Sequence, residues 1–166
     1  MELIDGKLYM MGFATLNHQA TVMELSRQLA NYLLGKSCRV YMDAAVKLAN
    51  NTIYLPDLAV ICDRSKLSHP VYCEGAPDLI IEILSPSSTR HDKITKLKAY
   101  RKAGVKEYWI VDIDNHIVTV HILVNDLYTV DSYSPKENDK SIPVRIFSDF
   151  EIDLTTVFQE EANEED

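Results

Sequence analysis

Hydrophobic residues recur along most of the chain in short runs separated by turn signals, which predicts a β-rich protein. The strand-like runs cover residues 39–48, 52–62, 79–84, 107–112, 116–124 and 127–133. At the start of the chain, Asp5-Gly6 separates two further apolar runs, at residues 2–4 and 7–11, and predicts a hairpin. Weaker edge elements are expected at residues 144–147 and 151–158, and loops at 63–76 and 134–140.

Two segments have helical spacing instead. In residues 16–34 apolar side chains recur every three to four positions, and Gly35 is a plausible stop. Residues 92–103 form the second predicted helix, which Gly104 ends. Because this helix lies between two buried strand patterns, it predicts a crossover joining parallel neighbours. We therefore expect an α/β (α+β) fold: a mixed β-sheet flanked by helices, with a β-rich C-terminal part.

Length and composition favour one domain in residues 1–158, followed by a disordered acidic tail at residues 159–166. The chain has no apolar run long enough to span a membrane, and MELIDGKLYM does not resemble a signal peptide. The three cysteines, at positions 38, 62 and 73, predict a reducing, cytoplasmic location rather than a disulfide framework or a zinc site.

The net charge of −8 argues at first against a nucleic-acid partner. Five of the acids lie in the tail, however, so residues 1–158 carry about −3 by the same count. Residues 90–106 are strongly basic, with seven Lys and Arg residues against Asp92. This segment is either a solvated helix face or a surface for a nucleic-acid backbone.

The run LIIEIL places one carboxylate, Glu82, in a strand that looks buried on both faces. An ionised carboxylate is costly there unless a cation or several donors meet it. Asp78 is a poor partner, because four residues of strand span roughly 13 Å, whereas oxygens bound to one Mg²⁺ lie within roughly 4 Å of each other. Asp57, in the neighbouring apolar run YLPDLAV, is the better candidate.

Two carboxylates facing one point could share a divalent cation, with a backbone carbonyl such as that of Ile83 as a further ligand. The alternative is that both acids cap loops or pair with arginine. The second predicted helix favours the cation, because Lys93 and Lys96 fall on the same arc as Leu97 and Tyr100. A lysine on that inward face needs an anion nearby, unless its stem reaches water.

The segments PDLAV, GAPDLIIEILSPSS and DKITKLKAYRKAGVKEYWIVD resemble the Uma-type family of endonucleases, which is placed in the PD-(D/E)xK superfamily. The resemblance implies the restriction-endonuclease-like fold, with Asp57 and Glu82 as the two catalytic carboxylates. The wider superfamily has a lysine two positions after the glutamate, where this chain has Leu84. Within the family the lysine comes from the following helix, and Lys96 matches that position.

Further residues are candidates for the site, but the resemblance does not define their roles. Asp92 lies one turn before Lys96, and Lys93 is the second lysine candidate. Glu2 and His18 match recurrent family positions, with no role assigned. Ser85, at the end of the Glu82 strand, could donate to a phosphate, or could simply belong to a turn.

These residues predict a Mg²⁺- or Mn²⁺-dependent hydrolysis of phosphodiester bonds, with DNA as the expected substrate and a homodimer as the suggested assembly. Two other interpretations stay open. One is a catalytically inactive member of the fold that binds nucleic acid or regulates another protein. The other keeps the metal site and acts on a different phosphoester.

Overall fold

A computed structural model of the chain describes residues 1–85 and 90–158, with the backbone alone for residues 90–92. The predicted disorder of residues 159–166 therefore falls outside the described residues, as do residues 86–88 of the predicted Ser-Pro loop. Within the described part, no helix is both long and apolar enough to cross a membrane.

Short strands and two long helices make up the regular structure of the described residues. The strands are β1 (Glu2–Ile4), β2 (Lys7–Tyr9), β3 (Arg39–Met42), β4 (Ala45–Ala49), β5 (Thr52–Tyr54), β6 (Leu58–Ile61), β7 (Tyr72–Glu74), β8 (Leu79–Ile83), β9 (Glu107–Asp112), β10 (Ile117–Val124), β11 (Leu127–Tyr133), β12 (Ser141–Pro143) and β13 (Glu151–Asp153). The helices are α1 (Leu16–Leu33) and α2 (Arg90–Ala103), and 3₁₀ turns lie at Arg64–Leu67, Pro135–Glu137 and Leu154–Thr156.

The central sheet has six strands in the order β11-β10-β9-β8-β6-β3. Strands β8 and β9 are parallel, with Glu82 opposite Ile110, and α2 connects them as the sequence predicts. The other neighbours in this sheet are antiparallel. The predicted mixed sheet with flanking helices is thus confirmed.

A second sheet has the strand order β2-β1-β5-β4-β7. It forms because two apolar runs that look like single strands are each divided between the two sheets. The runs at 39–48 and 52–62 are each two strands, and the halves belong to different sheets. The first run turns at Asp43, whose φ is 49°, and the second at Pro56, which has no N–H for a ladder. Both single-strand predictions were therefore wrong.

Two smaller predictions were also wrong. The expected loop at 63–76 contains β7, which pairs in parallel with β4. The expected strand at 144–147 is absent from the described structure, where β12 ends at Pro143 and pairs with β13.

Side chains alternate along β8, so that one set packs on the side of α1 and the other on the side of α2. Leu79 and Ile81 pack on the face shared with Leu25 of α1. Ile80 packs on the opposite face with Tyr100 of α2. Because side chains alternate along a strand, Glu82 points to the same side as Ile80, towards α2.

Cys38 and Cys62 form a disulfide, contrary to the expectation of three reduced cysteines. Cys38 comes just before β3 and Cys62 just after β6, and these strands pair with Arg39 opposite Ile61. Antiparallel pairing therefore brings the two sulfurs together across the end of the ladder. Cys73 is a buried free thiol, and burial raises its pKa.

Candidate active site

A cavity of about 750 Å³ lies at the end of β8, between the start of α1 and the inner face of α2. It brings together most of the site residues that the sequence predicts. These are Glu2, His18, Asp57, Glu82, Ile83, Ser85 and Lys96. Because they come from five separate segments of the chain, only the folded protein places them around one space.

Lys96 and Tyr100 are the groups that meet the buried carboxylate of Glu82. Lys96 Nζ lies 3.1 and 3.2 Å from the two Glu82 oxygens. Tyr100 donates its hydroxyl to Oε1 at 2.7 Å. Residues four apart share one helix face, so Lys96 and Tyr100 approach the same acid together.

Burial raises the pKa of Glu82 to about 7. Lys96 acts in the opposite direction, as does the Tyr100 hydroxyl, while the nearby carboxylates of Asp57 and Glu2 raise the pKa further. The Glu82 carboxyl is therefore poised to gain or lose its proton near neutral pH.

Glu2 is the second acid that contacts Lys96. Its Oε1 lies 3.1 Å from Lys96 Nζ and also accepts the backbone N–H of Leu55 at 3.0 Å. The pairing of β1 with β5 brings this N-terminal residue to the cavity. The Lys96 ammonium thus lies between carboxylates from the beginning and the middle of the chain.

Asp57 immediately precedes β6 and faces the end of β8, because the two strands are antiparallel neighbours with Leu58 opposite Ile81. Its Oδ2 accepts the backbone N–H of Ile83 at 2.7 Å. Its Oδ1 lies 3.2 Å from His18 Nε2. The two predicted catalytic acids therefore lie beside each other, each with a cationic or imidazole partner.

His18 lies in the first turn of α1, where Thr15 caps the helix by accepting the His18 N–H at 3.1 Å. Its side chain is buried, and the hydrogen bond to Asp57 raises its pKa despite that burial. The Ile83 carbonyl accepts a hydrogen bond from the same ring. Its Nδ1 is buried with no hydrogen-bond partner among the described residues.

Asp78, the other acid that follows a proline, has a different task. Its Oδ2 accepts the Cys62 N–H at 2.8 Å, and Lys106 Nζ lies 2.6 Å from its Oδ1. Asp78 does not line the cavity and instead anchors the chain before β8, as its spacing from Glu82 predicts.

The other predicted accessory residues are less informative. Lys93 is half-buried and does not line the cavity. The side chain of Asp92 lies outside the described structure. Two further residues were not predicted: Asp43 lines the cavity, and Tyr100 donates a hydrogen bond to Glu82. The position of Tyr100, four residues after Lys96, is a signal that could have identified it.

The donor set fits a hard divalent cation. Asp57, Glu82 and the Ile83 carbonyl supply oxygens, and Mg²⁺ in proteins commonly takes one or two carboxylates and keeps several waters. Across residues 1–85 and 93–158 no three His, Cys, Asp or Glu side chains already have the arrangement of a metal cage. The acids are paired with Lys96 and His18 instead, so an ion would have to replace some of these contacts.

A mixed central sheet with a carboxylate–lysine cluster at the end of an inner strand defines the restriction-endonuclease-like class of fold. The model of the Uma2 family, described as "Putative restriction endonuclease", matches residues 1–155. The chain therefore belongs to the Uma2 family, and the resemblance predicted from its motifs is confirmed.

One solved structure and two curated proteins are also similar to this chain. A crystal structure of a putative nuclease belonging to DUF820, from Anabaena variabilis, is similar with a TM-score of 0.78, 21% identity and coverage of 95% of this chain and 88% of that one. Two uncharacterized Synechocystis proteins are also similar. Protein slr1290 is 33% identical over 60% of this chain and 53% of its own length, and sll1609 is 29% identical over 67% and 65%. The matched region thus spans about half of slr1290 and about two thirds of sll1609.

Proposed function

We propose that this protein is a metal-dependent endonuclease that hydrolyses phosphodiester bonds in DNA, with Mg²⁺ or Mn²⁺ held by Asp57, Glu82 and the Ile83 carbonyl. The observation that carries the proposal is the convergence of Asp57, Glu82 and Lys96 on one cavity. Membership of the Uma2 family and the nuclease-like fold support it.

A bound divalent cation would polarise the phosphate and lower the pKa of a water molecule. The protein's own residues then hold the remaining charges in place. Lys96 lies 3.1 Å from Glu82, in a position to face the negative charge that develops on a phosphate or to orient the attacking water. Tyr100 fixes the Glu82 carboxylate through its 2.7 Å hydrogen bond.

The exposed face of α2 supplies a surface for the nucleic-acid backbone. Lys98, Arg101 and Lys102 are exposed there, and Lys106 is exposed just beyond the helix. They lie on the face opposite Lys96, so they could contact phosphates only at a distance from the scissile one. A homodimer, which would cut both strands, and a cytoplasmic location stay predictions.

A second candidate is a non-catalytic binding module, and the charge pairing favours it. Lys96 and His18 already compensate the buried acids without an ion. Leu84 also occupies the position of the usual superfamily lysine. Both candidates share the fold, so only activity can separate them.

The test combines metal titration with nicking of supercoiled plasmid. We expect the wild-type protein to bind Mg²⁺ or Mn²⁺ by calorimetry and to nick the plasmid, and Asp57→Asn and Glu82→Gln each to lose both. Short single-stranded DNA, RNA and a simple phosphodiester serve as alternative substrates. Metal binding without cleavage of any of them would favour the binding module, and cleavage of the simple phosphodiester alone would change the substrate class.

Asp78→Asn is the matched control. Asp78 also follows a proline and is also buried, but it contacts Cys62 and Lys106 outside the cavity. This variant is expected to lose stability and to keep metal binding and nicking. If Asp57→Asn and Asp78→Asn behaved alike, Asp57 would have only a structural role.

A further inference from the structure

His18 is buried in the first turn of α1 and faces the Asp57 carboxylate. Its Nε2 lies 3.2 Å from Asp57 Oδ1, and the Ile83 carbonyl accepts a hydrogen bond from the same ring. Nε2 is the nitrogen that faces the Asp57 carboxylate, and Nδ1 has no hydrogen-bond partner among the described residues. The Asp57 and Ile83 oxygens are also the ones that the proposed cation would use.

The distance between His18 Nε2 and Asp57 Oδ1 can be compared with the spacing of two ligands on one metal ion. Neighbouring ligands of an octahedral ion, each about 2.1 Å from it, lie about 3.0 Å apart. The 3.2 Å between Nε2 and Asp57 Oδ1 is close to this spacing. Once the Nε2 proton has left, with the neutral ring carrying its proton on Nδ1, this nitrogen and oxygen could become adjacent ligands with little movement of either side chain.

The local structure fixes the backbone that carries the ring, and the ring faces the cavity. Thr15 caps the helix at the N–H of His18, which sets where the side chain leaves the helix. The His18 side chain is 11% exposed and lines the cavity, so an entering ion would meet it. Because Nδ1 has no hydrogen-bond partner in the described part of the chain, a change of partner at Nε2 breaks no second bond there.

We propose that His18 is a ligand of the divalent cation, its Nε2 joining the oxygens of Asp57 and Ile83. The assignment rests on the proposed metal-dependent function and adds a nitrogen donor to an otherwise all-oxygen site. Imidazole suits transition metals better than Mg²⁺, whose usual protein ligands are oxygens. The site is therefore expected to select Mn²⁺ over Mg²⁺, which ties the chemistry of this protein to a transition-metal ion.

The test is pulsed electron paramagnetic resonance on the protein loaded with one equivalent of Mn²⁺. We expect modulation from an imidazole ¹⁴N in the wild type and in the control variant His69→Gln, because His69 is exposed and does not line the cavity. In His18→Gln the ¹⁴N modulation should disappear. Calorimetry should show Mn²⁺ affinity reduced at least about tenfold, with Mg²⁺ affinity reduced less.

Each outcome has a distinct meaning. Wild-type protein that binds Mn²⁺ without ¹⁴N modulation overturns the assignment of His18 and leaves the carboxylate site and the proposed function intact. His18→Gln that keeps the modulation and the wild-type ratio of Mn²⁺ to Mg²⁺ affinity also overturns it. Wild-type protein that binds neither ion overturns the metal-dependent function together with this inference. The absence of ¹⁴N modulation in the wild-type spectrum overturns the assignment even if His18→Gln fails to fold.

Discussion

Glu82 has a proton affinity set by opposing surroundings. Burial and two neighbouring acids favour its neutral form, whereas Lys96 and Tyr100 favour the carboxylate. Its pKa in the folded protein, about 7, is above the ordinary value of 4.5. This carboxyl therefore contributes stability that is fully present below about pH 4.5 and is lost as the pH rises through about 7.

Glu82→Gln should remove this dependence on pH. The glutamine stays neutral, so the free energy of unfolding of the variant minus that of the wild type should increase between about pH 5 and pH 8. A pKa of about 7 rather than 4.5 corresponds to about 3 kcal/mol for this increase. Urea denaturation at several pH values in the presence of a chelator measures it. Parallel curves for the two proteins would contradict the raised pKa, and His18, present in both, cancels in the difference.

Some residues of this site could be predicted from the sequence, and others could not. Asp57, Glu82 and Lys96 could be predicted, because an acid in an apolar strand and a lysine on an inward helix face each need a partner. The partners of Glu2 and His18 could not, since both depend on where distant segments dock. Glu2 reaches the site through the β1–β5 pairing, and His18 through the packing of α1 beside β8.

Helix α2 has a buried face and an exposed face. Lys96 and Tyr100 are buried against Glu82, while Lys98, Arg101 and Lys102 are exposed. The 3.6-residue period predicts this division correctly, because the helix has no proline or glycine that would change its phase.

Lys96→Met and Lys98→Met form a matched pair on this helix. Lys96→Met leaves the buried carboxylates of Glu82 and Glu2 without their shared cation, so at pH 8 it should cost about 3–5 kcal/mol of unfolding free energy. Lys98→Met, on the exposed face, should change it by less than about 0.5 kcal/mol. Denaturant titration measures both. Equal effects would mean that the buried triad does not depend on the lysine charge.

Strands β3 and β6 are also joined covalently, by the Cys38–Cys62 disulfide across 24 residues. Closing a loop of this length stabilises a protein by about 3 kcal/mol in the chain-entropy estimate. A reducing agent should therefore lower the midpoint of denaturation in the wild type and in Cys73→Ala. It should have no effect on the double variant Cys38→Ala/Cys62→Ala. Alkylation and mass measurement before reduction show how many thiols are free, and three free thiols would contradict the disulfide.

The strands that were not predicted separately come from two apolar runs, each of which contributes one strand to each of the two large sheets. Hydrophobic alternation continues through residues 39–48 and 52–62, so the pattern alone suggests single strands. The chain nevertheless leaves one sheet for the other at Asp43 and Pro56. Pro56 was a visible signal, whereas the left-handed backbone of Asp43 depends on tertiary contacts, among them its N–H bond to the Asp57 carbonyl.

Charge is distributed unevenly over the whole molecule. The net charge is −8, and the candidate site itself is acidic, yet α2 presents an exposed basic face. Binding of DNA should therefore depend on this one surface and should weaken steeply with salt.

Arg101→Gln and Lys102→Gln test this surface. If each side chain contacts one phosphate, each substitution should reduce the magnitude of the slope of log K against log[salt] by about one. Fluorescence anisotropy of a labelled DNA duplex, with Ca²⁺ as the divalent cation, measures the slope of log K against log[salt]. Lys136→Gln, exposed on the Pro135–Glu137 turn, is the control and should leave it unchanged. Unchanged slopes for all three variants would exclude α2 as the DNA-binding face.

Lys96 joins the two large sheets, because its partners Glu2 and Glu82 lie on β1 of the five-stranded sheet and β8 of the six-stranded sheet. The hairpin of β1 and β2 has only three residues in each strand and is marginal alone. Detaching it would remove the Glu2 carboxylate from the buried Lys96 ammonium. Amide hydrogens of β1 should therefore exchange with deuterium only when β8 also opens, so that both sheets belong to one cooperative unit. In Glu2→Gln the hairpin amides should exchange earlier than those of β8.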